Sequence, residues 1–305
     1  MSVRVERAIA APEASRANWK PSAATRGLDR RLAPERVAGK AQLAIAREMQ
    51  AVAMVKERAD FEMVADGVYW LERAGVNCYL IRADDKLVLV DAGLPRTWTH
   101  LVSALRSFGA TPADLDGVVL THGHFDHVGM CERLAREHRV PIHVHPRDQE
   151  LARHPYRYPH EASRLLYPVR YPKSIPILAG MAAGGALRIK GVDALPDVEP
   201  GVSLPVAGGL TPMWSPGHTR GHCGFHLGKM GILFSGDALV TLDPYTGRRG
   251  PRVVARAATA DSTKALTMLD VYAATRATLV LPGHGAPYHG DVREAVEAAR
   301  AAGVD

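Results

Sequence analysis

Residues 121–129 read T-H-G-H-F-D-H-V-G, which places His122, His124, Asp126 and His127 within six positions. Neutral imidazole and carboxylate suit zinc and its first-row neighbours. A lone histidine near a strand end is ordinarily a satisfied core or surface residue; four ligand-type side chains in six positions are not explained that way. The cluster follows an apolar run, Val118 to Leu120, and precedes an amphipathic one, Val128 to His138, so it is expected at a strand-to-helix junction. On an extended segment His122 and His124 point the same way, because side chains alternate with period two. Asp126 and His127 are expected to open the following helix and to face a second point. The pattern therefore predicts two metal positions.

Three later segments each end a β-like run in a Gly-containing turn that delivers one further ligand. W-S-P-G-H-T-R-G-H (214–222) supplies His218, I-L-F-S-G-D (232–237) supplies Asp237, and T-L-V-L-P-G-H-G (278–285) supplies His284. H-x-H-x-D-H, S-P-G-H-T, S-G-D and P-G-H-G in this order resemble the metallo-β-lactamase fold superfamily of metal-dependent hydrolases. The resemblance runs from about Phe61 to Gly290 and includes the lead-in G-V-Y-W-L, V-N-C-Y-L-I and L-V-L-V-D-A-G. It implies His122, His124 and His218 on a first metal, Asp126, His127 and His284 on a second, and Asp237 bridging both. Two divalent ions, Zn²⁺ first and Fe or Mn as alternatives, would hold a bridging hydroxide beside Asp237, since bound cations lower the pKa of water from about 15.7 toward 7. Asp237 and Asp126 are the catalytic carboxylates of this scheme, Asp126 with a second role as proton shuttle. Such a centre carries net positive charge and favours anionic substrates or transition states.

Departures from the family's branches narrow the expectation. Class B1 β-lactamases place Cys where Asp237 stands, and the diiron flavoproteins place Glu where His124 stands. Glyoxalase II adds a C-terminal glutathione-binding domain, whereas little chain follows His284. The acyl-homoserine lactonases have Tyr three residues after the bridging Asp; here that position is Val240, and Tyr245 is the nearest tyrosine downstream. The function expected is metal-dependent hydrolysis of an ester-, thioester- or lactone-like small molecule. Alternatives are an iron-dependent persulfide dioxygenase, a phosphodiesterase or nuclease, and a non-catalytic, metal-stabilised partner-binding protein.

The fold class expected is α/β (α+β), a four-layer αββα sandwich with an N-terminal extension. Strands are predicted at 68–71, 77–82, 87–90, 118–120, 140–144, 204–206, 211–214, 222–227, 232–234 and 279–280. Helices are predicted at 97–108, 128–138, 148–153, 262–275 and 292–302. An insertion at about 146–205 contains H-P-Y-R-Y-P-H-E-A-S-R-L-L-Y-P-V-R-Y-P (154–172). Its Tyr and Arg side chains read equally well as a lid and as an ordered surface segment; Tyr156 and Tyr158, with Tyr245, are the candidate substrate contacts. Arg248 and Arg249 read as solvated charges. His222 and His226 are expected to support the ligands from behind, and His143, His145, His154, His160 and His289 to be surface or loop residues.

The net charge of +6 does not mark a nucleic-acid surface. Residues 1–60 carry twelve Lys/Arg against seven Asp/Glu, so nearly all of the excess lies there and the catalytic domain, 61–305, is close to neutral. Residues 1–34 read as a basic, disordered arm. Their Arg- and Ser-rich composition resembles an organelle presequence, but Glu6, Glu13 and Asp29 count against one. Residues 35–60 read as a helix that packs on the domain or mediates a homodimer. No apolar run approaches the roughly 18 to 20 residues of a membrane span, and no secretory h-region is present. Cys78, Cys131 and Cys223 are too few for a disulfide framework. A cytoplasmic protein acting on a small molecule, without nucleic-acid or membrane partners, is the expectation.

Overall fold

The computed structural model describes residues 60–83, 85–204 and 209–305. The arm at 1–34 and, but for Asp60, the helix at 35–60 lie outside the described residues, as does most of the strand expected at 204–206. The described strands are β1 (Glu62–Ala65), β2 (Val68–Arg73), β3 (Val76–Ala83), β4 (Lys86–Val90), β5 (Gly117–Val119), β6 (Ile142–His143), β7 (Thr211–Trp214), β8 (Cys223–Leu227), β9 (Ile232–Gly236), β10 (Val240–Leu242), β11 (Arg249–Arg252), β12 (Leu279–Pro282) and β13 (Tyr288–His289). The helices are α1 (Trp98–Arg106), α2 (Cys131–His138), α3 (Gln149–Arg153), α4 (Tyr167–Arg170), α5 (Ile175–Ala183), α6 (Ser262–Ala273) and α7 (Val292–Ala302).

Two sheets dominate. One runs β1-β2-β3-β4-β5-β6, the other β13-β12-β9-β8-β7, and β10-β11 form a separate ribbon. In the first sheet β1 to β4 are antiparallel and β4-β5-β6 parallel; in the second, β9 and β12 are parallel. Strand alternation assigns side chains to layers. Tyr79, Ile81, Val88, Val90 and Val119 of the first sheet meet Phe225, Phe234, Leu279 and Leu281 of the second in one core. The alternate residues Leu80, Leu89 and Val118 face α1 and α2 in another. Leu233 and Val280 face α6 and α7, where Leu269, Tyr272 and Val296 pack. Near-continuous apolar strands thus feed three cores separated by two sheets, the αββα sandwich. Among the described residues no helix is long and apolar enough to cross a membrane.

The helix after the T-H-G-H-F-D-H-V-G segment begins at Cys131, not at Asp126. The residues before it are committed elsewhere: Gly129 N donates to Gly93 O, Met130 N to Ala92 O, and Ala92 N to His127 O. These bonds staple the ligand loop to the turn after β4, and a helical path would break them. The insertion between β6 and β7 holds α3, α4 and α5 with short 3₁₀ turns, and touches the first sheet through a parallel bridge between His143 and Leu195.

Candidate metal centre

Each ligand-type residue stands at a strand end on one edge of the sandwich. Residues 121–127 follow β5, Asp237 follows β9 and His284 follows β12, while His218 lies in the loop between β7 and β8. Parallel strands bring their carboxyl ends to the same edge, where open α/β sheets hold their ligands. All seven residues are buried. They form three overlapping groups whose ligating atoms lie within 4.8 Å of one another: His122, His124 and His218; His122, His127 and Asp237; Asp126, His127 and His284. Asp237 is central, with Oδ2 3.2 Å from His284 Nε2 and 3.5 Å from His218 Nε2, and Oδ1 3.4 Å from His127 Nε2. His284 Nε2 lies 3.4 Å from Asp126 Oδ2.

The rings are turned inward by partners behind them. Thr121 Oγ1 donates to Asp91 and therefore accepts from His122 Nδ1 at 3.0 Å. Thr259 Oγ1 donates to Val254 O and accepts from His218 Nδ1. His284 Nδ1 donates to Gly75 O at 2.9 Å, and His127 Nδ1 to Asp91 Oδ2 at 2.9 Å. With Nδ1 used as donor, each Nε2 offers a lone pair to the centre, the arrangement that outer partners impose on metal-bound histidine. His122 Nε2, His127 Nε2 and Asp237 Oδ1 are buried without hydrogen-bond partners, and His124 turns Nδ1 to the centre, 2.9 Å from His218 Nε2. Buried polar atoms are costly unless satisfied, and inward lone pairs from imidazole and carboxylate are satisfied by a divalent cation. The residues fit the metals that the sequence implies.

The protein's electrostatics divide the same residues. Burial holds His122 and His124 well below the ordinary imidazole range and His218 at about 4. Burial also disfavours the cations of His127 and His284, but Asp237 outweighs it, with Asp91 at His127 and Asp126 at His284. His127 is thereby raised well above its ordinary value and His284 to about 10. Burial opposes the Asp237 carboxylate, yet His284 and His127 hold it ionised. Cationic charge is thus already favoured beside Asp237.

Glycine makes room at two points. A Cβ on Gly283 would overlap Asp237 Oδ1 and press on His127. Gly217, at φ +142, passes against the backbone of Ala265, which no side chain would permit.

Three supporting residues lie outside the four ligand-bearing motifs, two of them, Asn77 and Asp91, in the lead-in runs V-N-C-Y-L-I and L-V-L-V-D-A-G. Asp91 ends the L-V-L-V run and accepts from Thr121 N, Thr121 Oγ1 and His127 Nδ1; a carboxylate closing an apolar strand is the signal that could have found it. Asn77 donates to the carbonyls of Pro282 and Gly285, on either side of His284. Asp148, in H-P-R-D, accepts from Gly123 N, Thr219 Oγ1 and Gly221 N. It joins the loop of His122 and His124 to the loop of His218, and nothing in its local sequence announces that. Burial raises its pKa although three donors oppose the rise.

His222 stands behind the ligands: its Nε2 accepts from Asp237 N at 3.0 Å, and its Nδ1 meets Ser215 Oγ at 2.9 Å. His226, four residues along the chain, is not part of this group; it is half-buried on β8 beside Thr211 and Leu233. His145 lies in a loop as expected, but it is buried there and stacked on Trp214. Arg248 is ion-paired with Asp305 rather than simply solvated.

The three tyrosines behave differently. The Tyr158 ring lies 3.8 Å from that of His124, and its hydroxyl is 3.3 Å from that of Tyr245. Burial pushes Tyr158 up to about 12 and Tyr245 well above its ordinary value, so both stay protonated and able to donate. Tyr156 stacks on Phe125, but its hydroxyl donates to Ala186 O and accepts from Ile189 N. It tethers the insertion to itself.

Two surface cavities flank the centre. One of about 300 Å³ lies beyond Gly285, lined by Trp70, Ile177, Leu242 and Arg249. The other, about 310 Å³, is floored by Asp148 and Thr219 and rimmed by Arg147, Arg157 and Arg220.

Comparison with known proteins agrees with this architecture. The family model described as the metallo-beta-lactamase superfamily matches residues 71–284. A Bacillus subtilis (strain 168) protein named Probable metallo-hydrolase YflN is 30% identical over 197 residues, 62% of this chain and 70% of that protein. A Caenorhabditis elegans Beta-lactamase-like protein 2 homolog is 27% identical over 217 residues, 69% of this chain and 56% of its own length. Among solved structures, a metallo-beta-lactamase family protein from Thermus thermophilus superposes with a TM-score of 0.56 at 26% identity, covering 77% of this chain and 78% of that one. With its αββα layers, its ordered motifs at the strand ends and a family match over most of its length, the chain belongs to the metallo-beta-lactamase superfamily.

Proposed function

We propose that the protein is a dinuclear metal-dependent hydrolase of a small ester, thioester or lactone that carries an anionic group. The observation that carries this reading is the set of buried, unpartnered ligand atoms around Asp237. His122, His124 and His218 would hold one divalent ion, Asp126, His127 and His284 the other, with Asp237 shared between them. Such ions supply Lewis acidity and bring the ionisation of water into the neutral range. Asp126, whose Oδ2 lies 3.4 Å from His284 Nε2, would take a proton and pass it on. The hydroxyl pair of Tyr158 and Tyr245 offers hydrogen-bond donors to a substrate oxygen beside His124. Tyr245 thereby reaches from a later loop toward the place left without a tyrosine by Val240. Anionic substrates are favoured by Arg147, Arg157 and Arg220, which outnumber the exposed carboxylate of Glu150 around the cavity at the His218 loop; none of the three has a carboxylate partner among the described residues.

The test couples elemental analysis of the purified protein to a panel of esters, thioesters and lactones, with Asp237→Ala in parallel. Two equivalents of metal and hydrolysis are expected in the wild type. The variant should lose kcat by on the order of a thousandfold, about 4 kcal/mol of barrier, together with metal content. Undiminished turnover in Asp237→Ala would sink the shared-ligand role. A single iron with oxygen consumption on a persulfide would replace the hydrolase reading altogether.

A further inference from the structure

The insertion that roofs the centre turns aliphatic side chains outward. Arg164–Leu166 form a 3₁₀ turn that runs directly into α4. Leu165, Leu166 and Val169 on this stretch are 85%, 68% and 82% exposed. Leu165 and Val169 are four positions apart and share a face. Tyr167 takes the opposite direction: its ring packs on Ala255 and Ala257, and its hydroxyl donates to Asp305 O at 2.9 Å. The inner side of the ridge is therefore anchored and the outer side bare. Ile175, at the start of α5, is also exposed.

The charge around this ridge is mainly cationic: Arg170 and Lys173 have no carboxylate partner among the described residues, whereas the neighbouring carboxylates Glu161 and Asp305 are paired with Arg256 and with Arg248 and Arg252. From Ala162 to Ser174 the chain carries Arg164, Arg170 and Lys173 and no Asp or Glu. Single exposed leucines need no explanation; a cluster of them beside unpaired cations does. The ridge also lies directly above the chemistry. The Arg164 guanidinium sits 4.1 Å over the Tyr158 ring, which in turn packs against His124.

We propose that this ridge seats in the surface of an anionic lipid bilayer, with Leu165, Leu166 and Val169 entering the acyl boundary and the surrounding cations meeting the headgroups. Protruding aliphatic tips ringed by Lys and Arg are the composition of interfacial anchors. A second copy of the chain fits less well, because a two-fold contact would set the same cations against each other. Surface seating requires no spanning segment, so the lack of a long apolar run in the sequence does not speak against it. The inference is independent of the hydrolase reading, since it needs no turnover to be tested.

The test is co-sedimentation of the full-length, metal-loaded protein with phosphatidylcholine vesicles, either pure or containing about a third phosphatidylglycerol. Wild type should pellet with the anionic vesicles and be released by salt. Leu165→Asp/Val169→Asp and Arg170→Glu/Lys173→Glu should each lower partitioning by about tenfold, with unchanged melting midpoints as the control for folding. The basic residues 1–60 are intact in both variants, so binding that rests on them would survive the substitutions and overturn the proposal. Failure of wild type to pellet would overturn it too. So would light scattering that shows a dimer which the paired aspartates dissociate, because a second copy would then cover the ridge.

Discussion

The ligand loops and the insertion above them are built on opposite plans. Every ligand loop grows from the end of a sheet strand, and its backbone is bonded to a neighbouring segment: His127 O to Ala92 N, Gly236 O to Gly283 N, His284 O to Thr241 N, His218 O to Ala260 N. Its polar side chains are either satisfied from behind or aimed at the centre. The insertion has helices of five, four and nine residues and turns Leu165, Leu166, Val169 and Leu187 to solvent. Its base is packed into the core under the first sheet through Ala152, Met181, Ala186, Ile189 and Val192, and polar points, chiefly Asp148, Glu161 and the Tyr167 hydroxyl, tie the rest to the body. The ligand loops are bonded throughout, whereas the roof is built in at its base and stands proud of the body at residues 165–169.

Asp148 is the point at which that contrast can be broken most severely, because it belongs to both regions. It opens α3 of the insertion and yet fastens the two histidine loops of the first metal group. Asp148→Ala leaves three buried donors without an acceptor and should cost about 3 kcal/mol, lowering the melting midpoint by roughly 6 to 12 °C for a domain of this size. Metal affinity should fall by roughly 10- to 100-fold, the usual consequence of removing an outer-shell partner. Competition with a chromophoric chelator measures the second effect. A variant that melts early but holds metal normally would show that Asp148 anchors only the roof.

The same contrast governs what is legible in the sequence. The seven ligand-type residues can be read because metal chemistry restricts residue type and turn geometry restricts spacing. The layers can be read because apolar runs such as Leu80–Ile81 and Leu233–Phe234 must bury both faces. Asp148 cannot, since its partners Gly123 and Gly221 are far along the chain and only the fold brings them together. The helix start at Cys131 is hidden for a related reason: periodicity continues back to Val128, but tertiary hydrogen bonds to Ala92 and Gly93 override it. In the insertion, tyrosines of identical local appearance diverge, Tyr158 toward His124 and Tyr156 into the backbone at Ala186 and Ile189. Pattern records composition there and not direction.

Removing the metals should expose the charge arrangement of the ligand loops directly. In the metal-free protein His218 sits at about 4, below its ordinary value, so its stabilising contribution is complete above pH 6.5 and is lost as pH falls from there toward 4. His284 is raised to about 10, so its contribution is complete below pH 6.5 and is lost as pH rises toward 10. His122, His124 and His222 act in the sense of His218, and His127 in that of His284. Chelated protein should therefore be most stable near pH 6.5 and lose stability on both sides. Loaded protein should be flatter across the same range, because coordination favours neutral imidazole throughout. Thermal melts from pH 5 to 9 with and without chelator decide this. A chelated protein whose stability is level across that range would contradict the division among the histidines.

Glu161 offers the smallest and most selective perturbation. Its carboxylate accepts from Ser262 N and Ser262 Oγ, tying the insertion to the start of α6 without touching a ligand loop. It is less buried than Asp148, so water replaces part of what is lost. Glu161→Ala should cost about 1 kcal/mol, a shift of roughly 2 to 4 °C in the melting midpoint. Metal affinity should be unchanged, because the substitution keeps the bond from Glu161 N to Thr259 O and the lost carboxylate touches no residue behind a histidine. If chelator competition instead found Glu161→Ala as weakened as Asp148→Ala, the roof and the centre would have to be a single cooperative unit. The insertion would then belong to the metal site in the same sense as the strand-end loops.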